Sequence, residues 1–253
     1  MIKLENTEVF GWEAAIRGMR NPMNSWEKSD SEYKTRCTDP GSNGQIWCDM
    51  CGYDACSPDW ADAEYVIGDN DLNLMRNLVK AGSDHSKFMR MINVTVDITA
   101  PMYWWKEMDT YKVGTVRNSC STMHKIQAKE FELNDFSWEH LFTIPKNPDE
   151  DCVKYQNGGF IVFSKDILDM TIDTLNLYRK RFLETNDKDY WWQMIQLLPS
   201  SYNQRATWQA NYAVLRNIYH SRDNHKLDCW HTFCEWIESL PYSELITAKV
   251  RVK

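Results

Sequence analysis

The stretch INVTVDIT, residues 92–99, alternates apolar and polar residues without a break. Because successive side chains of a strand point to opposite faces of a sheet, this period of two predicts a strand with one buried face. Ala100 and Pro101 close the stretch. A strand of this kind needs neighbours that cover its apolar face, and the surrounding sequence supplies them as helices.

Helical periodicity recurs on both sides of this strand. Asp69 or Asn70 can cap a helix that carries Leu72, Met75 and Val79 on one face. A second strand is predicted at residues 160–163. Further helices are predicted at residues 8–20, 166–185, 190–198, 203–220 and 227–240, which makes the final third nearly all helical. The pattern indicates an α+β domain with helices around a short sheet.

Composition limits the number of domains and the kind of partner. The chain has 253 residues, of which 43% are hydrophobic, and we interpret residues 1–253 as a single domain with a real core. Its formal net charge is -7, with acidic residues spread along the chain, so a nucleic-acid polymer is not the expected partner. A small molecule fits better.

No apolar run approaches the roughly 20 residues that a membrane span requires. The first residues, from Met1 to Asn6, lack the layout of a signal peptide. We therefore expect a cytoplasmic protein without a membrane partner, and cysteines that are thiols or metal ligands rather than disulfides.

Four of the eight cysteines lie in a Gly/Asp/Ser/Pro-rich insertion at about residues 37–60. They are Cys37, Cys48, Cys51 and Cys56, and they contain one CxxC pair. A structural zinc site normally has a second tight pair, because short chelate loops hold the tetrahedron at the lowest entropy cost. Two interpretations stay open, a structural zinc site and a cysteine-bearing surface insertion.

The common catalytic motifs are absent from the sequence: it has no GxGxxG, Walker loop, HExxH or GxSxG. Cys120 is a candidate nucleophile or a buried structural thiol. Arg222 follows a helical pattern. Its guanidinium could bind a carbonyl or phosphate of a ligand. Alternatively, it is simply a cation at a favourable position near the negative end of the helix dipole. His220 and His225 are expected to be surface or capping residues.

Four segments, taken in order, carry a resemblance to a known family. They are Trp12 to Arg20, Leu78 to His85, Ile92 to Tyr103, and a C-terminal block with Leu198, Pro199, Arg205, Trp208, Asn211, Leu215, Asn217 and Arg222. Together they resemble the flavin-dependent thymidylate synthases. The resemblance spans most of the chain and implies a small antiparallel sheet flanked by long helices.

The resemblance also implies a reaction and its cofactors. These enzymes methylate dUMP with methylenetetrahydrofolate as carbon donor, FAD as hydride carrier and NADPH as reductant, and they are homotetramers. The resemblance therefore implies one-carbon transfer to C5 of a pyrimidine deoxynucleotide, giving dTMP or a related modified nucleotide.

The family signature RHRxxSxNExSxR falls, without gaps, on the residues from Thr110 to Thr122. None of its specified residues is identical. Lys112, Thr115 and Cys120 keep charge, hydroxyl or size, whereas Thr110, Arg117, Asn118 and Thr122 change the chemistry. A lost charge-assisted hydrogen bond typically removes about 1.5 to 3 kcal/mol.

Matching residue by residue, the resemblance implies three groups of site residues. Arg222, Lys112 and Arg117 are the catalytic candidates, with Arg222 as the activator of the pyrimidine. The substrate-binding candidates are Glu107, Thr115, Asn118, Cys120 and Ser121. The flavin-binding candidates are Asn211, His85 and Ser83.

Two other functions remain open. The changed signature also fits a non-catalytic nucleotide-binding or regulatory protein on the same fold. The cysteine cluster alone would support a zinc-bearing interaction protein.

Overall fold

The computed structural model describes residues 2–35, 63–144, 146–147, 153–154 and 161–249. In chain order, its strands and α-helices are β1 (Lys3–Phe10), α1 (Trp12–Arg20), β2 (Glu32–Thr35), β3 (Ala63–Val66), α2 (Asp69–Ala81), β4 (Asn93–Pro101), α3 (Met102–Met108), β5 (Val116–Ser119), α4 (Thr122–Lys125), β6 (Val153–Lys154), β7 (Ile161–Val162), α5 (Ser164–Thr185), α6 (Lys188–Leu197), β8 (Asn203–Asn211), α7 (Tyr212–Arg222), α8 (Asp228–Glu238) and α9 (Glu244–Thr247). The four cysteines of the predicted zinc site lie outside the described residues.

Within these ranges, the largest sheet has four strands in the order β1, β4, β8, β5. β5 pairs antiparallel with β8 and places Arg117 opposite Trp208. Two short antiparallel pairs, β2 with β3 and β6 with β7, form separate two-stranded sheets. The predicted class, an α+β fold with a small antiparallel sheet flanked by long helices, is confirmed.

Strand β4 is the predicted alternating strand. Val94, Val96, Ile98 and Ala100 are fully buried, and the residues between them are only half-buried. Pro101 then has the extended backbone of an N-cap, and α3 begins at the next residue. One face of β4 therefore contributes to the core while the other carries polar side chains.

The helix predicted from residue 8 begins later than expected, at Trp12, because a strand precedes it. Gly11 separates the two elements with a φ of +95°, a conformation that side chains rarely adopt. A Cβ at this position would also clash with the backbone carbonyl of Met91. The turn therefore requires glycine.

The helix predicted from residue 203 is also wrong in its first half. Asn203–Asn211 forms β8, and only the part from Tyr212 is helical. Ala206, Trp208 and Ala210 are buried at every second position, as in a half-buried strand. Trp208 thus lies on the sheet and does not belong to a helical stripe with Tyr212.

The other helices agree with the sequence pattern to within a few residues. α2, α5, α6 and α8 occupy the predicted segments. In the part of the chain that the structure describes, none of them combines the length and hydropathy needed to cross a bilayer.

The chain divides into two compact units. The first comprises Met1–Thr7, Thr95–Gln209 and Asn224–Phe233. The second comprises Glu8–Val94, Ala210–Asp223 and Cys234–Lys253.

Two apolar groups pack within the described residues of the first unit. Trp104 contacts Trp105, Trp230 and Phe233 at ring-centroid distances of 5.1, 5.0 and 5.6 Å. The other group forms where α5 packs on α6, and its buried members are Ile126, Phe131, Phe136, Leu168, Ile172, Leu175 and Met194. Each aromatic pair of the Trp104 group adds about 0.5 to 1.5 kcal/mol of stability beyond the contribution of its buried area.

In the second unit, α7 packs against α9 and against a short 3₁₀ helix, Lys87–Arg90, which also contacts α1. The guanidinium of Arg216 on α7 donates to the backbone carbonyls of Leu245 and Ile246, both at 2.9 Å. These bonds satisfy carbonyls at the C-terminal end of α9, where cations are favourable.

A buried ion pair joins α1 to α2 in the same unit. Arg20 Nε donates to Asp71 Oδ1 at 2.6 Å, and the two side chains are 5% and 0% exposed. Ser29 and Ser31 donate to the other carboxylate oxygen at 2.7 and 2.6 Å. Burial alone would raise the pKa of Asp71, but the hydrogen bonds from Ser31, Ser29 and Arg20 outweigh it and lower that pKa. This stabilisation is present above the usual carboxyl pKa and is lost as the pH falls through the lowered value.

The substitution Arg20→Gln should lower the free energy of unfolding by about 3 to 5 kcal/mol, because it leaves a buried carboxylate without its cation. Arg17→Gln is the matched control on the same helix, since Arg17 pairs with Glu13 at 2.5 Å but is 63% exposed. It should cost less than about 1 kcal/mol. Chemical denaturation measures both, and equal losses would contradict the role assigned to the buried pair.

Candidate functional site

The stretch from Thr110 to Thr122 lies entirely in the first unit. It begins as the loop after α3, continues as β5, and ends with the first residue of α4. Lys112 is exposed in the loop, and Asn118 is exposed on β5. Part of the stretch therefore presents polar side chains to solvent.

Arg117 is held by three neighbours, two from α3 and its C-cap and one from β8. Its Nη1 donates to Asp109 at 2.6 Å and its Nη2 donates to Gln204 at 2.5 Å. The guanidinium carbon lies 3.8 Å from the centroid of the Trp105 ring, a cation–π contact. The side chain is only 19% exposed, so Arg117 is a fixed cation that links α3, β5 and β8.

The Nε of Arg117 is a different case. It is buried and has no hydrogen-bond acceptor among the described residues. A buried donor without an acceptor costs about 1 to 3 kcal/mol, so the packing that holds Arg117 in place carries a local energetic cost.

Backbone contacts fix the other signature candidates. Thr115 Oγ1 donates to the Tyr111 carbonyl at 2.6 Å. The N–H of Cys120 donates to the Arg205 carbonyl at 2.9 Å, and its thiol belongs to an exposed residue. Ser121 caps α4 by accepting the His124 N–H at 3.2 Å. The hydroxyls of Thr115 and Ser121, which the resemblance assigns to substrate binding, thus make hydrogen bonds with the local backbone.

Glu107 lies on α3 and is bound by two residues that follow it by more than a hundred positions. Trp230 Nε1 donates to Glu107 Oε2 at 3.0 Å, and His225 Nε2 lies 3.4 Å from the same oxygen. His225 Nδ1 accepts the Leu227 N–H at 3.2 Å. The neutral imidazole therefore carries its proton on Nε2, which faces the carboxylate.

His225 and Trp230 are candidate site residues that sequence reasoning missed. His225 was expected on the surface or in a cap, and Trp230 carried no expectation. The sequence around His225 and Trp230 does not indicate this role, because their contact with Glu107 joins segments that are distant in the sequence.

Asp97 organises a further polar cluster in the first unit, on the polar face of the sheet. Thr207 donates to Oδ1 at 2.5 Å, while Asn6 and Arg205 donate to Oδ2 at 2.9 and 2.8 Å. Hydrogen bonds from Thr207, Asn6 and Arg205 hold the pKa of Asp97 far below its usual value. Arg205, which belongs to the matched C-terminal block, is thus committed to Asp97.

The second unit carries Arg222 and the three flavin-binding candidates. Asn211 is the N-cap of α7, and its Oδ1 accepts the Val214 N–H at 3.1 Å. Ser83 and His85 are exposed in the turn that follows α2. The 3₁₀ helix just after His85 packs against α7, so this part of the unit brings the segments of all three residues near one helix.

Arg222 is half-buried at the C-terminal end of α7. Asn211 lies at the other end, so 11 residues of helix separate the two by about 16 Å. The two matched residues are therefore not brought together around one small ring within a single α7.

A cavity of about 260 Å³ lies in the first unit, away from the predicted candidates. Its lining includes Tyr103, Ser137, Glu139 and Cys229. The Ser137 hydroxyl donates to Glu139 at 2.7 Å and lies 3.0 Å from the Tyr103 hydroxyl. Burial raises the pKa of the Cys229 thiol, which disfavours its reactive thiolate.

Among the described residues, no group of three or more His, Cys, Asp or Glu side chains could hold a metal ion. The zinc prediction concerns cysteines outside these ranges and stays a prediction.

Solved structures of known proteins match this fold over its full length. The flavin-dependent thymidylate synthase ThyX from Helicobacter pylori, complexed with FAD and dUMP, superposes with a TM-score of 0.60 at 16% identity and covers 98% of this chain and 100% of its own. The UMP/dUMP methylase PolB from Streptomyces cacaoi, bound with 5-Br dUMP, has a TM-score of 0.53 at 13% identity and covers 100% of this chain and 97% of its own.

The chain has the fold of ThyX and PolB. No family model matches its sequence, and no curated protein matches it either. The likeness to ThyX and PolB is therefore one of structure at low identity.

Arg117→Gln should lower the free energy of unfolding by about 2 kcal/mol, because it removes a charge-assisted bond and the stacking on Trp105. Lys112→Gln changes an exposed cation in the same stretch and should stay within about 0.5 kcal/mol. Urea denaturation measures the free energy of unfolding of both variants. If Arg117→Gln leaves the free energy of unfolding unchanged, Arg117 does not link its three elements.

Proposed function

We propose that this chain is a flavin- and folate-dependent enzyme that transfers a one-carbon unit to C5 of a pyrimidine deoxynucleotide. The product would be dTMP from dUMP or a related modified nucleotide. The observation that carries the proposal is the full-length structural match to two enzymes whose bound ligands include dUMP or its 5-bromo analogue.

The nucleotide would be held mainly by cations. Addition of a nucleophile at C6 of a uracil places negative charge on the C4 oxygen, and a preorganised guanidinium stabilises that charge. We assign this role to Arg222. Arg117 and Lys112 would contact the phosphate or the ring. Glu107, Thr115, Asn118, Cys120 and Ser121 would line the same substrate.

The flavin would be held by Asn211, His85 and Ser83. An amide, an imidazole and a hydroxyl are donors and acceptors that suit the ring nitrogens, ring oxygens and diphosphate of FAD. Asn211 uses its carbonyl oxygen as a helix cap, so its amide group is the part that would donate to the flavin. Bound FAD supplies hydride transfer, with NADPH as reductant and methylenetetrahydrofolate as carbon donor.

The distance between Asn211 and Arg222 along α7 has a consequence for the oligomeric state. Asn211 and Arg222 lie about 16 Å apart at opposite ends of one helix. A flavin and a pyrimidine that touch each other could use both residues most simply if these came from different copies. This supports a homo-oligomer, and we propose the tetramer that the sequence resemblance implies.

The same fold could instead bind a nucleotide without catalysis. This second candidate is favoured by the environment of Arg117, whose terminal nitrogens are already bonded to Asp109 and Gln204. Arg117 is therefore committed to structural contacts, and at the three signature arginine positions the neutral Thr110 and Thr122 leave Lys112 as the one cation for a reacting ring.

The purified chain should carry FAD, and dUMP should change the flavin absorbance spectrum because the two ligands would be adjacent. Asn211→Asp keeps the capping oxygen but removes the amide donor, so it should weaken FAD binding about tenfold, or roughly 1.4 kcal/mol. His220→Gln, at an exposed position on the same helix, is the matched control.

Fluorescence titration with FAD measures both variants. A chain that binds dUMP but no FAD would overturn the enzyme proposal and favour the nucleotide-binding protein. Equal FAD affinities of Asn211→Asp and the control would remove Asn211 from the flavin site.

A further inference from the structure

The carboxylate of Glu107 is a fixed hydrogen-bond acceptor at the C-terminal end of α3. Trp230 Nε1 donates to its Oε2 at 3.0 Å, and His225 Nε2, which carries the ring proton, lies 3.4 Å from the same oxygen. The Glu107 side chain is 34% exposed. Because two donors from α8 and the segment before it converge on one oxygen, they fix the orientation of a carboxylate that solvent still reaches.

The same cluster packs against the beginning of the signature stretch. The ring centroids of Tyr111 and Trp230 lie 6.3 Å apart, in an edge-on contact. The Tyr111 carbonyl in turn accepts the hydroxyl of Thr115 at 2.6 Å. Glu107 therefore belongs to one continuous set of contacts with the residues that the proposed function places around the nucleotide.

The chemistry of the carboxylate restricts what can pair with it. A carboxylate offers about four acceptor positions and no donor, so a base that pairs with Glu107 must supply the hydrogen. Asp109, the next acid along the chain, is bound by Arg117 at 2.6 Å and is used within the fold. Glu107 is thus the acid of α3 that is suited to reading a base.

The two candidate bases differ in the hydrogens that they offer. Cytosine carries an amino group at C4, whose N–H a carboxylate accepts. Uracil carries a carbonyl oxygen at C4, and its one ring N–H lies between two carbonyl oxygens. A carboxylate that accepts this N–H also faces a carbonyl oxygen, and the two acceptors repel each other. Glu107 therefore fits cytosine better than uracil.

We propose that Glu107 selects a cytosine deoxynucleotide over a uracil deoxynucleotide, and that His225 and Trp230 are positioning residues for it. This inference rests on the proposed function, in which Glu107 lines the nucleotide. The substrate is then dCMP, whose 4-amino group donates to the carboxylate. Addition at C6 of cytosine places negative charge on N3 and O2, so the guanidinium assigned to Arg222 acts on those atoms.

The first test measures the dissociation constants of dCMP and dUMP by titration calorimetry, with and without added FAD. The unchanged chain should bind dCMP at least about tenfold more tightly than dUMP, which is the discrimination typical of one well-placed base contact. Glu107→Gln should abolish or reverse this preference. Its amide can donate to the C4 oxygen of uracil while its oxygen accepts the ring N–H.

Glu130→Gln is the matched control for the loss of a negative charge. Glu130 is an exposed acid of the same unit and lies outside the signature stretch. The ratio of the two dissociation constants should equal that of the unchanged chain, because only the general charge of the protein has changed. Circular dichroism verifies that each variant is folded.

A second pair of variants tests the positioning role of His225. His225→Phe removes the donor to Glu107 and should lower the preference for dCMP severalfold. His225→Gln keeps an N–H donor and should restore it. A role in stability alone would weaken the binding of both nucleotides equally and leave their ratio unchanged.

The inference is overturned if the unchanged chain binds dUMP at least as tightly as dCMP, or if Glu107→Gln leaves the ratio of the dissociation constants unchanged. A preference for dUMP together with tritium release from its C5 leaves the proposed function standing without this inference. A preference for dCMP in a chain that binds no FAD supports the specificity and contradicts the enzyme. Binding of neither nucleotide overturns both.

Discussion

The alternation of buried and polar side chains along β4 is the constraint on which the rest of the structure depends. Val94, Val96, Ile98 and Ala100 are fully buried, so every residue between them must face the other side of the sheet. A shift by one residue would bury Asp97 and expose the apolar row. β8 repeats the pattern with Ala206, Trp208 and Ala210. The register thus fixes where the polar residues of the sheet lie.

Chain connections lead from the strands of this sheet into the segments that carry candidate site residues. β4 leads through Pro101 into α3, which bears Glu107, and β8 leads through Asn211 into α7, which ends at Arg222. β5 pairs with β8 and holds Arg117 opposite Trp208. The ends of these strands and the caps of these helices therefore determine on which element each candidate residue lies.

The sequence was sufficient where one period dominated. β4 and α5 were predicted because their apolar residues follow a period of two or of 3.6 with little competition. β8 was missed because Trp208 lies at helical spacing from Tyr212 and Leu215, and its buried partners are alanines, which favour helices. β1 was missed because it is mostly exposed and shows no clear alternation.

For the candidate site, sequence order supplied the residues but not their partners. Gln204 binds Arg117 from 87 positions away, and Trp230 binds Glu107 from 123 positions away. No local pattern encodes such contacts.

The reaction proposed for this chain takes place at C5 of a pyrimidine nucleotide. The most direct measurement is tritium release from C5-labelled dUMP or dCMP in the presence of methylenetetrahydrofolate, FAD and NADPH. We expect tritium release from one of the two nucleotides and the loss of that release in Arg222→Gln. The absence of release from both nucleotides by the folded, FAD-loaded chain would contradict it.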